Sequence, residues 1–360
     1  PSLTSGYCSS RRDSRRARIS LESHVAAVQQ LEDRVLLSAN FVVNTTADTI
    51  DANLGDGLAQ DAAGNTTLRA AVMEANALGG SCTITIGAGT YTLTRAGAGE
   101  DAAATGDLDV LGNLTFVGAG AGLVTINGGG LDRVFQFHAG ANAQFTGVTI
   151  TGGAATDGGG LHNAAGSTLT LTSVNVHANA ASSYGGVLVN FGTLNINGGS
   201  FTGNTALEGA GLANYNGGEA EVTGTRFAGN IADKVGGGLL NELAELTLLN
   251  VDVERNRAHR NGGGLFNWAG TIDVTSSDFI GNSAGQDGGG IENTGNTVYD
   301  PGAYGPGIAT ITNSAFTGNT AGRAGGGVDN KRDGMMTISG STFTSNQAQY
   351  GGGVAAQGTA

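Results

Sequence analysis

From residue 158 onward, apolar and polar residues alternate in short segments that return about every 26 residues. A glycine-rich phrase that ends in asparagine opens each unit, as in GGGLLN (236–241), and a phrase such as FAGN (227–230) closes it. Segments of period two lie between the phrases, as in LTLL (246–249). Such alternation is typical of strands with one buried face. The pattern therefore predicts tandem coils of three short β-strands, turned by Gly and Asn.

The period also decides between repeat architectures. No segment of helix length lies inside a repeat, which excludes helical solenoids, and no LxxLxL phrase recurs, which excludes leucine-rich repeats. One coil cannot bury its own apolar face, so successive coils must stack and close a shared core. We predict an all-β, right-handed parallel β-helix, a single-stranded solenoid of about 26 residues per coil.

The asparagines that end the glycine-rich phrase occupy the same place in every coil. A buried amide without a partner costs about 1–3 kcal/mol, and stacked identical amides avoid that cost by bonding from coil to coil. We therefore predict a structural ladder, with ligand binding by the same side chains as the alternative. The ladder residues are Asn163, Asn190, Asn214, Asn241, Asn267, Asn293 and Asn330.

The N-terminal third is less regular. Residues 66–78 carry one apolar stripe at helical spacing, a threonine at the start and Gly79-Gly80 at the end, which predicts a short helix that caps the core. We divide the chain into a basic tail (1–40), an N-terminal cap with the first strands (41–95) and β-helix coils (96–360). Because the chain begins at Pro1 and ends inside a repeat, we expect a fragment whose export route and anchor lie outside it.

Composition narrows the partners. The chain holds 65 glycines and 3 prolines among 360 residues, and only 13% of its residues are charged. Its net charge of −13 disfavours nucleic acid, because phosphate neutralisation needs Lys and Arg. No apolar run is long enough for a transmembrane helix. The two cysteines, Cys8 and Cys82, form no disulfide framework.

Three segments resemble known families. LEDRVLLSA (31–39) resembles the LEPR-XLL segment of large exported bacterial proteins, with Asp33 where that motif has Pro. TLRAAVMEANA (67–77) is similar to the segment that opens CSLREA-type β-helix proteins, although Ala70 stands where that motif has Glu. The F-x-x-N and glycine-rich phrases resemble the polymorphic outer-membrane protein repeat, which occurs in adhesins. The resemblance implies export, a pectin-lyase-like fold and a role at the cell surface or outer membrane, and it implies no reaction.

Candidate chemistry is sparse, and we assign no catalytic residue. The insertion at 296–307 offers Tyr299, Asp300 and Tyr304 for binding a partner, with a tolerated surface loop as the alternative. His162 and His177 could approach each other within one coil, but they have no metal spacing, and satisfied surface or turn histidines are the preferred interpretation over catalysis.

A calcium ion is the one cofactor considered. Oxygen ligands for Ca²⁺ cluster at 48–56, where an ordinary turn is the alternative. The candidate ligands are Asp48, Asp51, Asn53 and Asp56.

We predict a non-enzymatic structural or adhesive protein that binds a polysaccharide or a host or cell-surface protein through outward residues and loops. The alternative is a polysaccharide lyase or glycoside hydrolase of the same fold. Two carboxylates roughly 5–10 Å apart in a cleft would favour the enzyme.

Overall fold

The structure, a computed structural model, describes residues 38–295 and 305–356. Within these residues the chain forms an all-β parallel β-helix whose coils repeat about every 26 residues, as predicted. The basic tail, most of the LEDRVLLSA segment and the binding candidates Tyr299, Asp300 and Tyr304 lie outside the described residues.

Four parallel sheets run along the stack in the described part of the chain. Sheet A holds the strands Asn40–Val43, Ser81–Ile86, Asn113–Gly118, Asn142–Thr146, Thr168–Thr172, Thr193–Asn197, Glu219–Thr223, Glu245–Leu249, Thr271–Thr275, Gly307–Thr312 and Gly334–Ser339. Sheet B holds Gly89–Thr92, Val124–Asn127, Thr149–Thr151, Asn175–His177, Ser200–Thr202, Arg226–Ala228, Asp252–Glu254, Asp278–Ile280, Ala315–Thr317 and Thr342–Thr344. Sheet C holds Leu108–Val110, Phe135–Phe137, Leu161–Asn163, Leu188–Asn190, Leu212–Tyr215, Leu239–Glu242, Leu265–Trp268, Ile291–Thr294, Val328–Asn330 and Val354–Ala356. Sheet D holds the two-residue strands Ala154–Ala155, Ala180–Ala181, Thr205–Ala206, Ile231–Ala232, Arg257–Ala258, Ser283–Ala284 and Thr320–Ala321.

The core lies between sheets A, B and C. Along Glu245–Leu249 the residues alternate between exposed and buried, so the period-two pattern marks the inward face as expected. Phenylalanines of the F-x-x-N phrase stack along the core in two groups separated by Val253, as in Phe279 and Phe316 with ring centroids 5.0 Å apart. Most of the buried apolar residues form one continuous cluster from Phe41 to Val328.

Glycine is required where the chain turns from sheet D into sheet C. Gly262 has φ +63°, a left-handed conformation that side chains rarely adopt. Beside it, a Cβ on Gly263 would lie 2.5 Å from the carbonyl oxygen of Gly289 in the next coil. The glycine-rich phrase therefore serves a tight turn and the close approach of stacked backbones.

An α-helix at Leu68–Leu78 lies against the first strands of sheets A and C. Thr67 is its N-cap and accepts a hydrogen bond from the Ala70 N–H, and Gly79 ends it in a left-handed conformation. Its buried face includes Arg69 and Glu74 as well as apolar side chains. Within the described residues, no helix has the length and apolar character needed to cross a membrane.

Candidate functional site

Seven asparagines form one column along the inner edge of sheet C. Each Nδ2 donates to the Oδ1 of the asparagine in the next coil, over distances of 2.7–2.9 Å from Asn163 to Asn330. The same amides also donate to backbone carbonyls, as Asn241 does to Ala244 at 2.9 Å. Their hydrogen-bonding capacity is thus used within the stack, which leaves it unavailable to a ligand.

A second amide column, which the sequence pattern did not assign, follows sheet B. Asn230 donates to the Oδ1 of Asn256 at 3.0 Å, and that Oδ1 also accepts the backbone N–H of Asn230 at 2.9 Å. These residues are the last asparagines of the F-x-x-N phrase. The column holds Asn179, Asn204, Asn230, Asn256, Asn282, Asn319 and Asn346.

The outward face of sheet C carries the chemistry. The central residue of each strand points away from the core, because its two neighbours point inward. In the middle of the sheet this outer row is apolar, and Tyr184 and Tyr215 help to cover it with ring centroids 5.0 Å apart. The row is polar on either side of this apolar stretch. Asp109 and Gln136 lie toward the N-terminal end, and Glu292 and Asp329 lie toward the C-terminal end. In chain order the row is Asp109, Gln136, His162, Val189, Ala213, Leu240, Phe266, Glu292, Asp329 and Ala355.

Arg133 stands at the centre of the N-terminal group. Its Nε lies 3.6 Å from Asp107 Oδ2 and 3.9 Å from Asp132 Oδ1, and its Nη1 donates to Gln136 Oε1. The Nε and Asp107 Oδ2 are both buried without a hydrogen-bond partner. We name this group the Arg133 cluster: Asp107, Asp109, Asp132, Arg133, Gln136 and His138.

Local sequence places these side chains on two adjacent coils. Asp107 lies just before the strand Leu108–Val110 and Asp109 lies within it, on either side of inward-facing Leu108. Asp132 and Arg133 end the turn that leads into Phe135–Phe137. Arg69 of the helix holds the first of these coils by hydrogen bonds to its backbone. Its guanidinium donates to the carbonyls of Ala103, Gly106 and Asp107 at 2.8–3.1 Å.

Burial shifts the acid–base properties of the Arg133 cluster. It raises the pKa of Asp107 to about 7, and the nearby carboxylates of Asp109 and Asp132 add to this while Arg133 opposes it. Burial also raises the pKa of Asp109, against its hydrogen bond with His138. In the neighbouring strand, burial and the charge of Arg133 lower the pKa of His162 to about 4. Asp107 is therefore able to take up or release a proton near neutral pH.

An open groove of about 710 Å³ runs past Asp132 and Arg133. Small side chains from the first two strands of sheet D line it together with these two charged residues. The lining residues are Ala98, Gly99, Leu131, Asp132, Arg133, Ala154, Ala155, Thr156, Ala180, Ala181 and Ser182. An open groove lined by small side chains and two charged residues suits an extended polar ligand.

Of the four sequence-predicted calcium ligands, Asp51, Asn53 and Asp56 line one open cavity of about 320 Å³, and Asp48 does not. Asp48 turns to the buried Arg69, with its Oδ1 2.6 Å from Nε, and also accepts the backbone N–H of Thr94. Asp51 accepts the Gln60 N–H at 3.2 Å, whereas Asn53 and Asp56 are exposed. Burial raises the pKa of Glu74, which accepts the N–H groups of Gly55 and Gly57 in the same loop. The loop is thus held by hydrogen bonds from its backbone N–H groups to the carboxylates of Asp51 and Glu74.

The described part of the chain contains two groups of three carboxylate or histidine side chains that could hold a metal ion. Within each group the ligand atoms lie within 4.8 Å of one another. In the first, Asp109 Oδ1 and His138 Nε2 are 2.8 Å apart and bond each other, while Asp101 is exposed, so we assign this group to orienting His138. The second group is Asp287, Glu292 and Asp329, at the opposite end of sheet C. His162 and His177 lie on sheets C and B; His177 Nδ1 is 3.3 Å from Thr151 Oγ1.

Comparison with known proteins gives two similar solved structures. The A-module of the Azotobacter vinelandii mannuronan C-5 epimerase AlgE6 is 14% identical with a TM-score of 0.46, over 89% of this chain and 99% of that one. Pectate lyase Pel9A is 14% identical with a TM-score of 0.43, over 85% of this chain and 79% of that one. Neither activity is inferred from this likeness. No family model matches the chain, and no curated protein matches it.

Proposed function

We propose that this protein is an exported β-helix protein that binds an extended polysaccharide in the groove beside Arg133. The observation that carries the proposal is the groove itself, which small residues line together with Asp132 and Arg133. The buried Arg133 Nε has no hydrogen-bond partner. The guanidinium is held beside Asp107 and Asp132, and Arg133 supplies hydrogen-bond donors where it lines the groove.

The chemistry of the groove favours a neutral glycan. Alanine side chains of sheet D offer an apolar surface to a sugar ring, while Arg133 donates and Asp132 accepts hydrogen bonds at its edge. A net charge of −13 repels a strongly anionic chain. The ligand that fits is therefore an uncharged polysaccharide, running along the coils.

Location at the cell surface or outer membrane, and an adhesive role there, form part of the proposal. Their support is the LEDRVLLSA segment and the repeat resemblance. Antibody labelling of intact producing cells tests the location, and signal that appears only after the cells are broken would contradict it.

Binding to a panel of neutral and acidic polysaccharides by affinity electrophoresis tests the groove. We expect retardation by at least one neutral glycan, with Arg133→Ala weakening it at least tenfold. Arg226→Ala is the matched control, because Arg226 lies on sheet B and pairs with Glu254 at 2.7 Å, away from the groove. Equal retardation of Arg133→Ala and wild type, or no retardation by any glycan, contradicts the proposal.

Hydrolysis or elimination of the bound glycan is the second candidate. Asp107 and Asp132 both lie next to the Arg133 Nε, and Asp107 has a pKa of about 7 that suits general acid–base work. Incubation with the retained glycan should then release reducing ends or unsaturated products, and Asp132→Asn should abolish them. A glycan that binds and stays intact over long incubation supports binding alone.

A further inference from the structure

Three buried carboxylates converge at the C-terminal end of sheet C. Asp287 lies in the turn before the strand Ile291–Thr294, Glu292 lies in that strand, and Asp329 is its register partner in the next coil. Asp287 and Asp329 are 0% exposed and Glu292 is 1% exposed. One oxygen of each lies within 4.8 Å of the others. Like charges at this spacing are stabilised by a cation among them or by protonation of one carboxyl group.

Two basic side chains supply part of that charge. Lys331 Nζ lies 2.9 Å from Asp287 Oδ2 and 2.7 Å from Glu292 Oε1. Arg323 Nε donates to Asp287 Oδ1 at 2.8 Å from the solvent side. Three carboxylates thus face two cations. Asp287 is well satisfied because it also accepts the Ala324 N–H, whereas Glu292 depends on Lys331 and on Asn261.

Unused oxygens point to a ligand at this place. Glu292 Oε2 and Asn261 Oδ1 are both buried without a hydrogen-bond partner, and neither atom can donate while the carboxyl is ionised. Asn261 Nδ2 lies 3.3 Å from Glu292 Oε1, which sets the amide beside the same carboxylate. A metal cation bound here would satisfy both oxygen atoms.

We propose that Asp287, Glu292, Asp329 and the Asn261 side-chain oxygen form a Ca²⁺ site, and that Lys331 occupies it in the absence of the ion. The ligands are hard oxygens in an irregular arrangement, which Ca²⁺ accepts and the strictly octahedral Mg²⁺ does not. The Lys331 side chain is 19% exposed, so its ammonium has a path to solvent. Lys331 is then an internal competitor for the ion.

The ion would join three successive coils, because Asn261, the pair Asp287–Glu292 and Asp329 belong to consecutive repeats. Its effect is stabilisation of the coils on either side of the insertion at 296–307. The site is independent of the proposed glycan binding. Six strand spacings separate Glu292 from Gln136 in the outer row, which is roughly 29 Å.

Isothermal titration of the chelator-treated full chain with CaCl₂ tests the site. Wild type should bind one Ca²⁺ ion with a rise in melting temperature, and Glu292→Gln should bind at least tenfold more weakly. Lys331→Met removes the competitor and should bind at least tenfold more tightly than wild type. MgCl₂ should not displace Ca²⁺ from wild type or from Lys331→Met.

Asp278→Asn is the control for diffuse binding to acidic surface, since Asp278 faces Asp252 on the exposed side of sheet B. It should titrate like wild type. Equal affinities of wild type and Lys331→Met, or a loss in Asp278→Asn as large as in Glu292→Gln, would overturn the site. Lys331→Met decides the question even if Glu292→Gln does not fold.

Discussion

In the described coils from residue 158 onward, the buried asparagines of the two columns are satisfied by copies of themselves. Asn241 bonds to Asn214 on one side and to Asn267 on the other. Between residues 38 and 157 the buried polar groups are unlike one another. There Arg69 serves Asp48 and three separate carbonyls, and Glu74 serves the N–H groups of two glycines in one loop.

The two regions differ in how buried polar groups find hydrogen-bond partners. A repeated amide always finds a donor or acceptor in the next coil, so a column of them leaves no unused atom along its length. Unlike groups must be matched one by one, and the Arg133 cluster leaves Arg133 Nε and Asp107 Oδ2 unmatched. We infer that ligand chemistry in this fold is found where the repetition ends, and four substitutions test that division.

Arg69→Met should have the largest effect. It strands the nearly buried Asp48 carboxylate and three carbonyls, and removing one partner of a buried pair costs about 3–5 kcal/mol. Urea unfolding should show this loss. Arg226→Met, at a solvent-exposed pair with Glu254, should cost less than about 1 kcal/mol. Equal losses in the two variants would mean that Arg69 does not hold the N-terminal region together.

Asn230→Leu comes next, with an expected loss of about 2–4 kcal/mol. Its Oδ1 accepts both the backbone N–H and the Nδ2 of Asn204, so the substitution leaves two buried donors without a partner. Calorimetric melting measures the effect. The exposed Asn197→Leu, at the end of a sheet A strand, should stay within about 0.5 kcal/mol of wild type. An Asn230→Leu variant as stable as wild type would mean that the second amide column does not contribute to stability.

Asn241→Leu should cost somewhat less, about 2–3 kcal/mol. Its Oδ1 accepts one side-chain donor, Asn214 Nδ2, and no backbone N–H depends on it. The same melting experiment ranks it against Asn230→Leu. A larger loss at Asn241 than at Asn230 would show that the number of stranded donors does not set the cost.

Much of the fold is predictable because residues that recur at the same place in each repeat stack on one another in successive coils. Fixed spacing of identical phrases identifies the coils, the Asn163–Asn330 column and the inward phenylalanines, and capping residues identify the helix. The last asparagine of F-x-x-N repeats just as regularly, so the second column was open to the same argument. What escapes is the Arg133 cluster, whose members come from two coils without any shared phrase.

One signal for the outward sites was present in the sequence. In GGGLxN the variable residue lies between two inward-facing ones, so it must point outward from sheet C. That position holds His162, Glu292 and, in the last such phrase with asparagine, Asp329. Their proximity to Arg133 or Lys331 still could not be predicted, since these basic residues belong to turns of no fixed length.

The last test addresses Asp107 and has the smallest effect. Because its folded-state pKa of about 7 lies above the unfolded value near 3.8, the folded state holds the proton between those values. This contribution is full below pH 4 and is lost as pH rises through 7. Asp107→Asn cannot ionise, so its stability relative to wild type should rise by about 2 kcal/mol between pH 5.5 and pH 8. Urea unfolding of both proteins at several pH values gives that difference directly, with other titrating groups cancelling. A difference that stays constant with pH would mean that Asp107 ionises in the folded protein as it does in the unfolded chain, and the strongest sign of a built site beside the groove would then be gone.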